Sequence, residues 1–349
     1  MKGELAPPWP SSRLILAVIL TLVGAGATIT LAIEPGAVLG VCLALGLSLL
    51  GLSTGLLAGV RLNVDMLVVP FTVAACLTTL ALWSPLGKHH YGALRHVDMG
   101  VSIEPAGLWV ISCHLAAVGF FWGKTHGIYL AANLAGAFGA ALLMPELSLI
   151  PQIVAGTVVV AWMSGRRKLA GAIVLSAIGA VALSSLFPYV QQRWVGFIDP
   201  GGHALGAGYD YRAVAQAVAE SDWWTGHSGS MPAMSSPTDD YWLAAGLWRI
   251  GRLGILAWVG LFGLTLWLSK RRLSGGGERS LLMHAILATM AMSLAVHAAY
   301  NLGFIPVTAT YPPLAGLAGS ITASHLFLVG FCLVSGPARE DPRDEMGPK

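Results

Sequence analysis

Two adjacent carboxylates, Asp239 and Asp240, stand directly before the apolar run YWLAAGLW that begins at Tyr241. A carboxylate at a membrane–water boundary, screened by Tyr and Trp, loses hydration, which raises its proton affinity and suits it to general-base work. The same pair would equally serve as a helix cap, because the positive end of a helix favours negative charge. Upstream, Arg193, Asp199, His203, Asp210, Arg212, Glu220, Asp222 and His227 are interleaved with Trp194, Tyr209, Tyr211, Trp223 and Trp224. Such a mixture suits an interfacial site for a polar head group carried on a lipid, for example a sugar pyrophosphate, and it also suits any ordered interfacial loop. Glu146, after Pro145, and Arg249 and Arg252 lie near the ends of apolar runs, where charged groups face an aqueous cavity or one another. His89, His90 and His96 are close in sequence but lack a metal-ligand spacing, and read as surface residues. Cys42, Cys76, Cys113 and Cys332 each fall inside an apolar run with no CxxC pair, and read as packing residues.

The elements that must hold these groups are apolar. Of the 349 residues, 55% are hydrophobic and 11% charged, against about 25% charged in a soluble domain. Runs long enough to cross a hydrocarbon core of about 30 Å occur at 13–33, 37–60, 65–84, 106–122, 127–144, 148–164, 168–187, 241–269, 281–302 and 314–336. The expected fold class is therefore all-α: a polytopic membrane protein of about ten transmembrane helices. A single transmembrane domain is expected over residues 1–336, with a disordered cytoplasmic tail at 337–349. If the N-terminus is cytoplasmic, fourteen of the twenty Lys and Arg residues fall in inner segments and four in outer ones. That bias places both termini inside and the large segment 188–240 outside, as an extracytoplasmic loop. Ser84–Pro105 becomes a second outer segment, residues 213–221 read as a short surface helix, and 274–280 as a flexible inner linker. The formal charge of +3 gives no nucleic-acid footprint.

Five segments in order resemble the SEDS family (shape, elongation, division and sporulation), which includes FtsW, RodA and SpoVE. GALRHVDMGVSIEP, from Gly92 to Pro105, is similar to the family stretch Gly-Ala-Arg-Arg-Trp-Ile leading to Gln-Pro-Ser-Glu. MPEL at Met144–Leu147 is similar to Gln-Pro-Asp-Leu. FPYVQQRWVGFIDPGGHALGAGY keeps Pro188, Tyr189, Arg193, Phe197, Pro200, Gly206, Gly208 and Tyr209. PTDDYWLAAGLWRIGRLG resembles His-Thr-Asp-Phe-Ile-Phe-Ala, and keeping Gly251 and Gly254 in step sets the family Asp on Asp240. GFIPVTATYPPLAGLAGSI keeps Gly303, Pro306, Val307, Thr308, Pro313, Gly319 and Ser320.

The resemblance implies a glycosyltransferase that polymerises lipid II, the undecaprenyl-pyrophosphate-linked disaccharide precursor of peptidoglycan, at the outer face of the bacterial inner membrane, beside a class B penicillin-binding protein. It implies Asp240 as catalytic base and Arg95, Arg193, Glu146, Tyr209, Thr308 and Ser320 as substrate-binding positions. No cofactor is evident, and a divalent cation is left open. The chain departs from the family where Gly107 and Val110 replace an intramembrane Glu and Lys, where His96 replaces Trp, where Trp248 and Arg249 replace an acidic pair, and at Gly316, Leu317 and Ala318. These departures keep two further readings open: a non-catalytic scaffold for the penicillin-binding-protein partner, and a flippase for lipid-linked precursor.

Overall fold

The computed structural model describes residues 12–90, 93–98, 102–144, 146–203, 205–206, 208–272, 277–308, 310–317 and 319–334. The expected disorder at 337–349 and part of the 274–280 linker lie outside these residues. Among them the helices are α1 (Ser12–Ile33), α2 (Val38–Arg61), α3 (Val64–Ala81), α4 (Pro105–Phe121), α5 (Gly127–Leu143), α6 (Leu149–Met163), α7 (Arg167–Ser184), α8 (Pro188–Ile198), α9 (Tyr209–Glu220), α10 (Trp242–Arg272), α11 (Glu278–Asn301) and α12 (Gly319–Leu333). Helices α1, α2, α3, α7, α10 and α11 are long and apolar enough to cross a membrane, and α4, α5, α6 and α12 are shorter apolar helices. These ten match the ten apolar runs.

Helix α4 is buried on almost every side, as a helix apolar all round must be, and α3, α5, α6, α11 and α12 pack about it. Among the described residues, α2 and α12 form the most extensive helix–helix contact. Gly51, Gly55 and Gly59 fall every fourth residue, on one face of α2. A Cβ at these positions would stand 2.3, 2.0 and 2.6 Å from the carbonyl oxygens of Ala323, Phe327 and Phe331. Only glycine lets the backbones meet so closely, the small-residue packing that joins helices in lipid.

The segment between α3 and α4, expected as an outer one, folds as a small antiparallel sheet, which the hydropathy pattern does not indicate. Its strands are β1 (Gly87–His90), β2 (Ala93–Asp98) and β3 (Ser102–Ile103), in the order β1-β2-β3. Gly87 pairs with Val97 and Lys88 with His96 before a bulge shifts the register, and Val97 then pairs with Ile103. The 188–240 segment carries α8 and α9. The second corresponds to the surface helix expected at 213–221 and begins earlier, at Tyr209.

The run 241–269, expected as one continuous span, is broken. Gly251 has φ 81 and ψ 170, a conformation open to glycine and costly for other residues. Trp242 and Trp258 have ring centroids 4.9 Å apart, whereas sixteen residues of straight helix would separate them by about 24 Å. The arm 242–250 therefore bends sharply back toward the arm 252–272. The second arm starts with N–H groups that have lost their intrahelical partners. Arg252 and Leu253 donate them to the carbonyls of Asp222 and Trp223, at 2.9 and 3.1 Å. His227 stacks on Trp248 with ring centroids 4.2 Å apart, and its own N–H donates to the Trp248 carbonyl at 2.8 Å.

The last run, expected to be helical from 314, stays irregular as far as Ala315 and beyond, although Pro306, Val307 and 310–315 are buried. Buried non-helical backbone requires partners from elsewhere. The Val307 carbonyl accepts from Arg193 and the Val307 N–H donates to the Tyr211 hydroxyl, both at 2.9 Å. The Thr310 carbonyl accepts from His297 Nδ1 at 2.6 Å and from the Tyr300 hydroxyl. The Tyr311 carbonyl accepts from Ser293 Oγ at 3.0 Å.

Candidate active site

Helix α8 begins with Pro188 at its first turn, after the extended residue Phe187, where the missing N–H of proline is harmless. One turn separates Tyr189 from Arg193. The Arg193 guanidinium lies 4.3 Å from the Tyr189 ring centroid and donates to the Tyr189 hydroxyl as well as to the Val307 carbonyl. Helix α9 adds Tyr211, whose hydroxyl donates to the Arg193 carbonyl at 3.2 Å while accepting from Val307. Burial lifts the Tyr211 hydroxyl above the ordinary phenol range, so it stays protonated and keeps both roles. Asp210, on the same helix, accepts from the N–H and hydroxyl of Ser235 at 2.8 and 2.7 Å, tying α9 to the chain that leads into α10.

That chain turns tightly before α10. Tyr241 donates its N–H to the Ser236 carbonyl at 3.0 Å, and Trp242 to the Asp239 carbonyl at 3.3 Å. The two carboxylates part company here. Asp239 accepts from the Leu317 N–H at 3.1 Å and so anchors the turn to the irregular segment before α12. Asp240 is buried, at 4% exposure, and lines a cavity of about 190 Å³ together with Arg193, Asp210, Tyr211 and Tyr241. A groove of about 830 Å³ runs beside it between α6, α7 and α11, lined almost wholly by apolar side chains. Arg193 and Val307 line both spaces, and Thr308 lines the groove.

Asn301, fully buried at the end of α11, fixes this arrangement. Its Nδ2 donates to the Asp240 carbonyl at 3.0 Å and to the His297 carbonyl at 2.9 Å, and its Oδ1 accepts from the Ala244 N–H at 3.1 Å. It thereby caps the first turn of α10 from another helix. The Trp242 indole N–H donates to Thr30 Oγ1 at 3.0 Å and ties the same turn to α1. Sequence reasoning passes over Asn301 and His297. The available signal is their polarity within an apolar helix, where a polar side chain needs a reason to be kept.

The other candidates lie elsewhere. Glu146 is buried at the α5–α6 junction, where its carbonyl accepts from the Leu149 N–H at 3.2 Å. Tyr209 is exposed at the start of α9. Ser320, in the first turn of α12, accepts from the Glu104 N–H at 3.3 Å. None of these three lines the cavity. Arg95 falls in β2, and its side chain, like those of His89, His90 and His96, lies outside the described residues. Gly107 and Val110 are both buried in α4, and a Cβ on Gly107 would come 2.6 Å from Ser324 Oγ of α12. Uncharged residues thus stand where the family has a charged pair, a change that removes the cost of burying charge. Among the described residues no group of three or more His, Cys, Asp or Glu could hold a metal ion.

Chemically, the arrangement offers a partly desolvated carboxylate for a proton, a guanidinium for an anion and an apolar trough for a long hydrocarbon. Comparison with known proteins gives a concordant result. The family model described as "Cell cycle protein" (FTSW_RODA_SPOVE) matches residues 38–336. A "probable peptidoglycan glycosyltransferase FtsW" of Halorhodospira halophila is 24% identical over 286 residues, covering 75% of this chain and 72% of that protein. One of the same description from Halothiobacillus neapolitanus is 22% identical over 285 residues, covering 75% and 68%. Among solved structures, a chain of a peptidoglycan synthase complex aligns with a TM-score of 0.71 at 22% identity, over 91% of this chain and 95% of that one. The rod shape determining protein RodA of Thermus thermophilus aligns with a TM-score of 0.66 at 19% identity, over 95% and 97%.

Proposed function

This chain belongs to the FtsW/RodA/SpoVE family of cell cycle proteins, and on that premise we propose that it is a membrane glycosyltransferase that polymerises lipid-linked peptidoglycan precursor in bacterial cell-wall synthesis. The observation that carries the reading is the convergence of Asp240 and Arg193, distant in sequence, on one cavity that adjoins the 830 Å³ apolar groove. In the proposed reaction Asp240 takes the proton of the acceptor sugar hydroxyl. The oxygen so freed forms a bond to the anomeric carbon of the donor, and the bond from that carbon to the diphosphate breaks. Undecaprenyl diphosphate leaves with the electron pair, and the Arg193 guanidinium faces its growing charge. The polyprenyl chain occupies the groove, where its burial removes apolar surface from water and head groups.

The site then faces the outer side of the bacterial cytoplasmic membrane, with both termini inside. The distribution of Lys and Arg supports this orientation, and so does the basic sequence at the far end of α10, Lys270–Arg272. Cysteine labelling should find positions 210 and 227 accessible from outside, and access from the cytoplasm alone would reverse the orientation. The proposed partner is a membrane protein of the class B penicillin-binding type. It is suggested by the family and by the structural neighbour that comes from a peptidoglycan synthase complex.

The deciding experiment is polymerisation of lipid-linked disaccharide by the purified full chain, with and without such a partner. Asp240→Asn should insert and fold as the parent does but lose about a hundredfold to ten-thousandfold in rate. Asp239→Asn, which disturbs the tether to Leu317, should keep most of the activity. A scaffold without catalysis would leave the parent and Asp240→Asn indistinguishable.

A further inference from the structure

The cavity beside Asp240 is lined by three tyrosines, Tyr189, Tyr211 and Tyr241. The first two have their hydroxyls engaged, Tyr189 by Arg193 and Tyr211 by Arg193 and Val307. Tyr241 differs. It is 4% exposed, and its backbone is fixed by the N–H bond to Ser236 and by the Ala245 N–H donated to its carbonyl at 2.9 Å. Its hydroxyl lies close enough to Asp210, Asp240, Tyr211 and Arg193 for each to act on it electrostatically, yet it is hydrogen-bonded to no described residue. A hydroxyl that opens on a polar cavity can turn its O–H toward a ligand atom held there, and beside a guanidinium that atom is the oxygen of an anion.

We propose that the Tyr241 hydroxyl is a substrate-contacting donor of this site, hydrogen-bonding a phosphoryl oxygen of the diphosphate-linked lipid alongside Arg193. This inference rests on reading the cavity as a lipid-diphosphate site. The ligand atom must be an acceptor, because burial and the neighbouring carboxylates hold the phenol above its ordinary pKa and it keeps its proton. It must also sit near a cation, since two carboxylates would otherwise repel it, and Arg193 supplies that charge in the same cavity. A diphosphate meets both demands. The hydroxyl transfers no proton: the acceptor's proton goes to Asp240, the glycosidic bond replaces the bond to the diphosphate, and Tyr241 and Arg193 bear on the anion that leaves. Arginine alone would satisfy an anion of any orientation, whereas a second donor in the same cavity fixes which oxygen faces the sugar.

The test is direct binding of undecaprenyl diphosphate to the full chain in nanodiscs, with undecaprenol as the control lipid. Tyr241→Phe keeps the ring and removes only the oxygen, so its melting temperature should match that of the parent. It should bind undecaprenyl diphosphate about tenfold to a hundredfold more weakly and undecaprenol unchanged. Equal affinity of Tyr241→Phe and parent for the diphosphate overturns the proposal, as does a parent that binds the two lipids equally. Asp240→Asn separates the two claims. If it still polymerises at the parental rate, the general-base reading falls, while a Tyr241-dependent preference for diphosphate leaves this inference standing.

Discussion

The α2–α12 seam and the wall around Asp240 are both buried, and they are assembled on opposite rules. Along the seam both helices stay whole, so their polar backbone groups are satisfied internally and only size decides whether they can meet. Glycine at 51, 55 and 59 meets that demand. Around Asp240 the chain leaves regular structure twice, in the turn before α10 and in the segment before α12. Each departure exposes backbone groups that particular side chains then satisfy, Asn301 on the first and Arg193, Tyr211, His297 and Ser293 on the second. Irregular backbone lets residues from α8, α9 and the start of α10 converge, and buried polar side chains are what keep it stable. In this protein the buried polar residues His297 and Asn301 of α11 therefore mark the site, whereas the buried glycine row of α2 marks the scaffold.

The contrast can be broken most severely at Gly55. Valine there would press its Cβ to within 2.0 Å of the Phe327 carbonyl oxygen, with backbone on the other side that cannot give way. Overpacking of ordinary side chains already costs about 1–3 kcal/mol. Gly55→Val should therefore sharply lower the yield of monodisperse protein and its melting temperature. A variant as heat-stable as the parent would mean the seam is not close-packed. The next effect is expected at Asn301. Its removal in Asn301→Ala leaves the Asp240 carbonyl and the Ala244 N–H buried without their partner, at about 1–3 kcal/mol for each. Melting should fall, and polymerisation should fall further than at positions of equal stability loss along the seam. If activity tracked stability alone, Asn301 would belong to the scaffold rather than to the site. The smallest effect sharpens the comparison from within α2 itself. A Cβ added at Gly46 would meet nothing within 4 Å, so Gly46→Ala should be neutral or more stable by up to about 1 kcal/mol. A loss there like that of Gly55→Val would show that helix flexibility, not close approach, is what the glycines provide.

Much of the scaffold can be read in the sequence, because transfer of about twenty consecutive apolar residues into a hydrocarbon layer is a sum over local chain. The ten runs, the helix around 213–220 and the position of Asp240 at the entry to the eighth run all follow from such local sums. The glycine row of α2 is equally legible as a four-residue repeat, though its partner is not. What escapes are features set by distant chain. The break at Gly251 depends on carbonyls of Asp222 and Trp223 arriving to cap the second arm. The irregular stretch before α12 reads as helix in the sequence because its apolar residues add to the same hydropathy in either conformation.

At the site, the sequence by itself determined which groups were available: a carboxylate pair at a boundary, arginines among aromatics, and an unbroken apolar surround. The family spacing singles out Asp240, but only the tertiary structure decided why Asp240 rather than Asp239 lines the cavity, in a turn fixed by Ser236, Leu317 and Asn301. It also decided that Arg193 faces the same space, and that Tyr241 has a hydroxyl left to give. Hydropathy is additive along the chain and can be read without a fold. Hydrogen-bond geometry depends on fractions of an ångström between residues far apart in sequence, and exists only once the helices have packed.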